Sequence, residues 1–186
     1  TVGNNGSDKY ILPEGQYYFA GGYSNRDYVS LIEEFKKLPY RLLIAASSNN
    51  SDLVQYLKQE SIPSNVTVIY DCVSGDFERI LQGSVAVIFP MRDNTGASGQ
   101  MVIIAAMRNK KLIISTNTDV IKEYIRDKEE GIILGNIREL GEVLTSLERG
   151  GYTEEIQIMR TKAYQRYCEK YTYAALKKQL ITALGE

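Results

Sequence analysis

Six short apolar runs, separated by helical patterns, constrain this chain more than any other feature. They fall at residues 17–20, 41–46, 66–70, 85–90, 111–115 and 132–134. Most are rich in Val, Ile and Leu and lack polar alternation, as strands buried on both faces do. Helical periodicity occupies 26–38, 52–60, 76–81, 98–108, 120–126 and 137–148 between and after them. Alternation of this kind predicts an α/β domain, a doubly wound parallel sheet with helices on both faces. With 186 residues there is material for one well-packed domain and not for two large ones.

The two ends depart from the pattern. Residues 1–16 hold Gly3, Gly6, Gly15 and Asn4-Asn5 and read as a leading segment or interdomain linker. Residues 17–150 form the expected α/β unit. Residues 151–186 turn purely helical, from Thr153 to about Leu184. Ile156, Met159, Ala163 and Tyr167 recur there at helical spacing, so one face is expected to pack.

Charge and composition remove several function classes. Lys and Arg number 22 against 23 Asp and Glu, a net charge of −1, so there is no basic footprint for bulk nucleic acid. No apolar run reaches the ~18–20 residues that span a bilayer, and the opening residues do not read as a charged-then-apolar leader. Cys72 and Cys168 have neither metal nor redox spacing, which suits a cytoplasmic chain with free thiols. The absence of histidine rules out Ser-His-Asp and Cys-His nucleophile systems. Gly96-Ala97-Ser98-Gly99 therefore lacks the base that a nucleophilic serine needs. Neither a Walker A segment nor G-x-G-x-x-G is present.

Three segments are candidates for ligand contact. "DNTGASGQMVIIAAM", residues 93–107, carries the chain from the fourth strand into an apolar helix. Ser98 suits the helix N-cap, and the amides of Gly99, Gln100 and Met101 follow it, where the helix dipole favours an anion. Gly96, Ala97 and Gly99 leave room for an approaching group. This helix is apolar all round and is expected to be buried. The segment reads equally as a phosphate or hydroxyl cradle and as a simple strand-to-helix turn. "YYFAGGYSNRDY" places Gly21 and Gly22 after the first strand and Arg26 at a helix start. Arg26 is either a planar fork for phosphate oxygens or a surface residue beside a turn. The turn "DCVS", residues 71–74, offers the backbone of Cys72 and Val73 to a flat ring, as many turns do. Lys110 and Lys111, before the fifth strand, are a solvated pair or a further anion contact.

In combination, "FAGGYSNRDYVSLIEEF", "NVTVIYDCVSGDFERIL", "SVAVIFP…SGQMVIIAAMRNKKLIIST" and "EYIRDKEEGIIL" resemble the C-terminal donor-binding half of a GT-B glycosyltransferase. The pattern is similar to the large retaining family, often called family 4, that includes glycogen synthases and sucrose-phosphate synthases. It covers roughly residues 17–184. The resemblance implies a Rossmann-like half of a GT-B fold with C-terminal helices. It places Gly21, Gly22 and Arg26 at the donor diphosphate, with Arg26 in the catalytic role of stabilising charge on the departing group. Cys72 and Val73 then lie against the base, and Gly96, Ala97, Ser98, Gly99, Gln100 and Met101 face sugar and diphosphate. Lys111 joins them as a candidate substrate contact.

Two carboxylates of the family pattern are missing. Matching Ala105–Met107 to the family's "E-A-M" puts its two glutamates, eight positions apart, at Ala97 and Ala105. The helix glutamate normally grips the ribose hydroxyls and the loop glutamate touches the sugar. Asp93 and Gln100 are the candidate replacements, and the family's "G-K-P" becomes Lys110-Lys111-Leu112. The expectation is a divergent glycosyltransferase, hexosyl-transferring and inactive as this single half. It would use a nucleoside diphosphate sugar, with no cofactor and no metal. The acceptor, a sugar or lipid-linked glycan, and any peripheral membrane association would come through the other half. The C-terminal tyrosines 164, 167, 171 and 173 resemble the segment that braces that half, so exposed apolar surface is expected there. A non-catalytic nucleotide-sugar-binding module and a sugar-nucleotide epimerase of the same architecture are the alternatives. A nicotinamide dehydrogenase domain is disfavoured by the missing glycine fingerprint.

Overall fold

A computed structural model describes residues 15–92, 99–150 and 153–184. Six strands, β1 (Tyr18–Gly21), β2 (Leu42–Ala46), β3 (Val66–Tyr70), β4 (Ala86–Phe89), β5 (Leu112–Thr116) and β6 (Ile132–Leu134), form one parallel sheet in the order β3-β2-β1-β4-β5-β6. The expected strands are all present, with ends shifted by a residue or so. The helices are α1 (Tyr28–Phe35), α2 (Ser51–Gln59), α3 (Ser74–Gly83), α4 (Gln100–Arg108), α5 (Asp119–Tyr124), α6 (Leu140–Glu148), α7 (Thr153–Lys170) and α8 (Tyr173–Leu184).

The continuous apolar runs follow from burial on both faces. Successive strand side chains point to opposite faces. Phe19, Leu43, Val87, Phe89 and Ile113 therefore pack under α3, α4 and α5. Their neighbours Tyr18, Leu42, Ile44, Ile88 and Ile114 pack under α1, α2 and α6. The sequence also supplies the helix starts. Asp27, Asn50 and Thr118 each accept a backbone N–H of the first turn of α1, α2 and α5.

Two helical expectations change. The region 137–148 opens with a 3-10 turn, Ile137–Glu139, before α6. The C-terminal helical stretch divides at Tyr171-Thr172, where the Thr172 hydroxyl accepts the Ala175 amide and starts α8. Met159 and Ala163 of α7 are buried, with Ile156 and Tyr167 half-buried beside them. On α8 no residue is buried, and Tyr173, Leu176, Leu180, Ile181 and Leu184 are exposed. The tyrosines divide: Tyr171 stacks on Tyr124, and the Tyr164 ring lies under the Lys110 ammonium.

The topology fixes where a ligand can enter. From β1 the chain winds outward to β2 and β3; from β4 it winds the other way, to β5 and β6. β1 and β4 lie side by side, so the loops at their carboxyl ends diverge and leave a crevice at this switch point.

A buried acid anchors the edge of the sheet to α7. Glu130 is 2% exposed. It accepts the Arg126 amide at 2.9 Å and the Arg126 guanidinium at 2.5 Å, and Arg166 of α7 lies 3.8 Å away. Burial alone would raise its pKa, but the two arginines outweigh burial and hold the carboxyl below its ordinary value. A depressed folded pKa gives stability that is present above the unfolded value of ~4.3 and lost as pH falls through the folded one. Glu130→Gln is therefore expected to lower stability by about 1–3 kcal/mol at pH 7. Urea unfolding of both proteins from pH 7 downward should show the gap closing in the acid range.

Candidate functional site

The crevice between the ends of β1 and β4 is a cleft of about 660 Å³, within the ~300–1,000 Å³ usual for small-molecule sites. The β1–α1 loop supplies Gly22, Tyr23, Ser24 and Arg26; the β3–α3 turn supplies Cys72 and Ser74; α3 and α4 form the walls.

Arg26 is the central group. It is 2% exposed, so the surface reading of this residue does not apply. Its placement comes from a stitch between the two central loops. Arg26 bridges Met91 in antiparallel fashion, the Asp27 amide donates to the Pro90 carbonyl, and the Arg92 amide donates to the Asn25 carbonyl. The guanidinium donates through Nε to the Gly21 carbonyl at 3.2 Å and through Nη1 to the Ser24 carbonyl at 2.9 Å; Nη1 also touches the Met91 sulfur. Its carbon sits 5.7 Å from the centre of the Phe89 ring. Nη2 is buried and has no hydrogen-bond partner among the described residues. Burial lowers its pKa from the ordinary arginine value, the nearby Tyr28 acting in the opposite direction. An arginine remains charged at neutral pH even so.

Two glycines make room for that guanidinium. Gly22 and Gly99 have φ of +123° and +91°, and a Cβ on either would lie 2.8 Å or 2.5 Å from Arg26 Nη2. The Gly22 carbonyl is held in turn by the hydroxyl of buried Tyr28 at 2.7 Å. Gly99 is the left-handed N-cap of α4 and supplies no side-chain hydrogen bond. The helix thus begins at Gln100 rather than at 98. Its first backbone bonds run from the Val102 and Ile103 amides to the Gly99 carbonyl. The Gln100 and Met101 amides precede these, so the start of α4 presents N–H groups beside Nη2.

Tyr23 and several of the sequence-predicted residues lie around this point. Tyr23 reaches across the cleft and donates to the Cys72 carbonyl at 2.9 Å. Cys72 is buried; Val73, the N-cap residue of α3, is exposed beside it. Gln100 and Met101 line the cleft. α4 is not buried all round: Met101 is 78% exposed, Ile104 and Ala105 are half-buried, and all three face the cleft. Ala105 thus occupies a cleft-lining position without a polar group. Asp93, Gly96, Ala97 and Ser98 lie outside the described residues.

Lys111 is not brought to the cleft. It immediately precedes β5 and so lies at the amino rim of a parallel sheet, where its ammonium donates to the Ser84 carbonyl at 2.8 Å. Burial lowers its pKa, with Arg160 adding to the effect. One charged pair in the cleft escaped sequence reading. Glu78 of α3 accepts from Arg108 of α4 at 2.6 Å and also from the Asn109 amide group. The only signal was polar residues at the helical positions that face across the cleft.

Several solved structures share this fold. Anabaena Alr3699/HepE in complex with UDP-glucose aligns with a TM-score of 0.72 at 15% identity, covering 91% of this chain and 49% of that one. Sucrose-phosphate synthase from Thermosynechococcus elongatus aligns at 0.67 and 15% identity, over 92% and 47%. The C-terminal domain of the group 1 glycosyl transferase LpcC from Francisella tularensis aligns at 0.64 and 17% identity, over 86% and 88%. The chain thus spans about half the length of the first two proteins and most of the isolated domain. Among curated proteins none matches at a significant level. The model of the glycosyl transferases group 1 family matches residues 16–149. The chain belongs to the group 1 glycosyltransferases.

Proposed function

We propose that this protein is the donor-binding half of a glycosyltransferase that moves a hexosyl unit from a nucleoside diphosphate to an acceptor hydroxyl, with retention at the anomeric carbon. The observation that carries the reading is the buried Arg26 guanidinium, whose Nη2, unpartnered among the described residues, meets the N-terminus of α4 at the topological switch point. A diphosphate seated there is met by a charged planar donor and by helix amides. When the bond from the anomeric carbon to the phosphate oxygen breaks, its electron pair moves onto the diphosphate. Arg26 and the α4 amides stabilise that charge without reorganising. The base lies against the turn at Cys72 and Val73. UDP-glucose in the HepE structure supports a uridine donor as the first to test.

The acceptor, a sugar or lipid-linked glycan, is held by a second domain, against which the exposed apolar residues of α8 pack. Any peripheral membrane contact belongs to that second domain. The half described here binds donor and does not turn over alone, and it works in the cytoplasm. A non-catalytic nucleotide-sugar-binding module is the second reading, favoured by the apolar Ala105 on the cleft wall. The two separate in product analysis, since only the enzyme forms glycosylated acceptor in the presence of its partner domain.

Arg26→Ala should weaken nucleoside diphosphate sugar binding about tenfold or more in calorimetry, and Arg26→Met should do the same while preserving much of the side-chain volume. Unchanged affinity in both would remove the assignment. Gly99→Ala places a methyl group against Nη2 at a positive φ. It should cost about 1–3 kcal/mol in urea unfolding and lower donor affinity in the same direction as Arg26→Ala.

A further inference from the structure

The cleft has a second charged end. Beyond Ala105 its lining includes Glu78 from α3 and Arg108 from α4. Glu78 is the only carboxylate among the described lining residues. Arg108 Nη2 donates to one of its oxygens at 2.6 Å and Asn109 Nδ2 donates to the other. Asn109 is fixed in turn, since its amide nitrogen also donates to the Ala105 carbonyl and its oxygen accepts from Gln82. One donor on each oxygen occupies about two of the roughly four acceptor positions of a carboxylate. The Glu78 side chain stays 27% exposed, so the group is oriented yet has acceptor capacity left.

The following step rests on the donor-binding reading above. A diphosphate at the start of α4 directs its nucleoside along the helix wall. With a rise of ~1.5 Å per residue, Ala105 lies about 8 Å and Arg108 about 12 Å along the axis from Gln100. Side chains on a helix lean toward its N-terminus, which carries the Arg108 head back toward the Ala105 turn. Ala105 offers no polar atom to a ribose passing over it. A vicinal diol brings two O–H donors, and burying them against an apolar wall costs free energy unless an acceptor meets them. From these positions we infer that Glu78 accepts the 2′ and 3′ hydroxyls of the donor ribose, reaching across the cleft from α3, with Arg108 and Asn109 as positioning residues. The recognition of ribose is thereby supplied by α3 and not by α4.

Calorimetry on the intact protein tests this with uridine, guanosine and adenosine diphosphates and the 2′,3′-dideoxy analogue of whichever binds most tightly. The wild type should bind the dideoxy compound about tenfold or more weakly. Glu78→Gln should bind the ribonucleotide about tenfold more weakly and no longer distinguish the two. Glu78→Asp, which keeps the charge but withdraws it by one methylene, should also lose most of the discrimination. If Glu78 served only as a clamp between α3 and α4, both ligands would weaken in parallel and their ratio would hold. A preserved ratio in both variants, or a wild type indifferent to the missing hydroxyls, overturns the inference. Absence of binding by all three ribonucleotides to the wild type overturns the donor-binding reading instead.

Discussion

The site depends on one buried cation held between two glycines. Arg26 follows β1, while Met91 and Gly99 follow β4. The guanidinium is therefore the meeting point of the two strands at which the winding of the sheet reverses. Its Nε and Nη1 are engaged by backbone carbonyls and a sulfur, so it cannot swing away from Nη2's direction without losing those bonds. A Cβ at position 22 or 99 would collide with it. Local backbone conformation, sheet topology and charge are thus set by the same contact, and the other cleft residues are arranged around it.

The fold was legible because its strands are buried on both faces. A run such as Leu42–Ala46, wholly buried, leaves no polar alternation to confuse a strand with a surface helix. Capping residues were readable as well, and Thr172 shows one that marks a break inside an apparently continuous helical stretch. The site was legible only where function depends on local order. Gly21, Gly22 and Arg26 lie together at the end of β1 and in the loop that follows it. Ser98 reads as the better cap and puts Gly99 inside the helix; the space that Gly99 leaves for Arg26, 73 residues earlier in the chain, is a tertiary demand. Glu78 and Arg108 are 30 residues apart, and nothing in their spacing announces that they face each other. Lys111 is instructive in the opposite sense. A residue just before a parallel strand must lie at the amino rim, so its distance from the cleft could have been read from topology alone.

The character of α4 follows from its position between core and cleft. Val102, Ile103, Ala106 and Met107 pack on the sheet, while Met101, Ile104 and Ala105 line the ligand side. Both faces are apolar, which is why the segment looks like a helix buried all round. The difference lies in what opposes each face: the sheet and α7 on one side, and on the other a space flanked by α3. A ligand wall of this kind contributes shape and exclusion of water, and polar selectivity must come from the two ends of the cleft.

Those ends are electrostatically unequal, and the inequality gives the cleft a direction. At the far end Arg108 is already neutralised by Glu78, so it exerts little net attraction on an anion. At the near end, among the described residues, Arg26 has no acidic partner bonded to it and its Nη2 is buried without an acceptor. A buried unsatisfied charged donor costs about 1–3 kcal/mol or more, and such groups persist where something else than folding requires them. A phosphate charge brought to ~4 Å would recover about 4 kcal/mol at an effective dielectric of about 20. On the proposed reading, a nucleoside diphosphate in the cleft places its phosphates against Arg26 and the start of α4, and its nucleoside along the apolar wall toward Glu78.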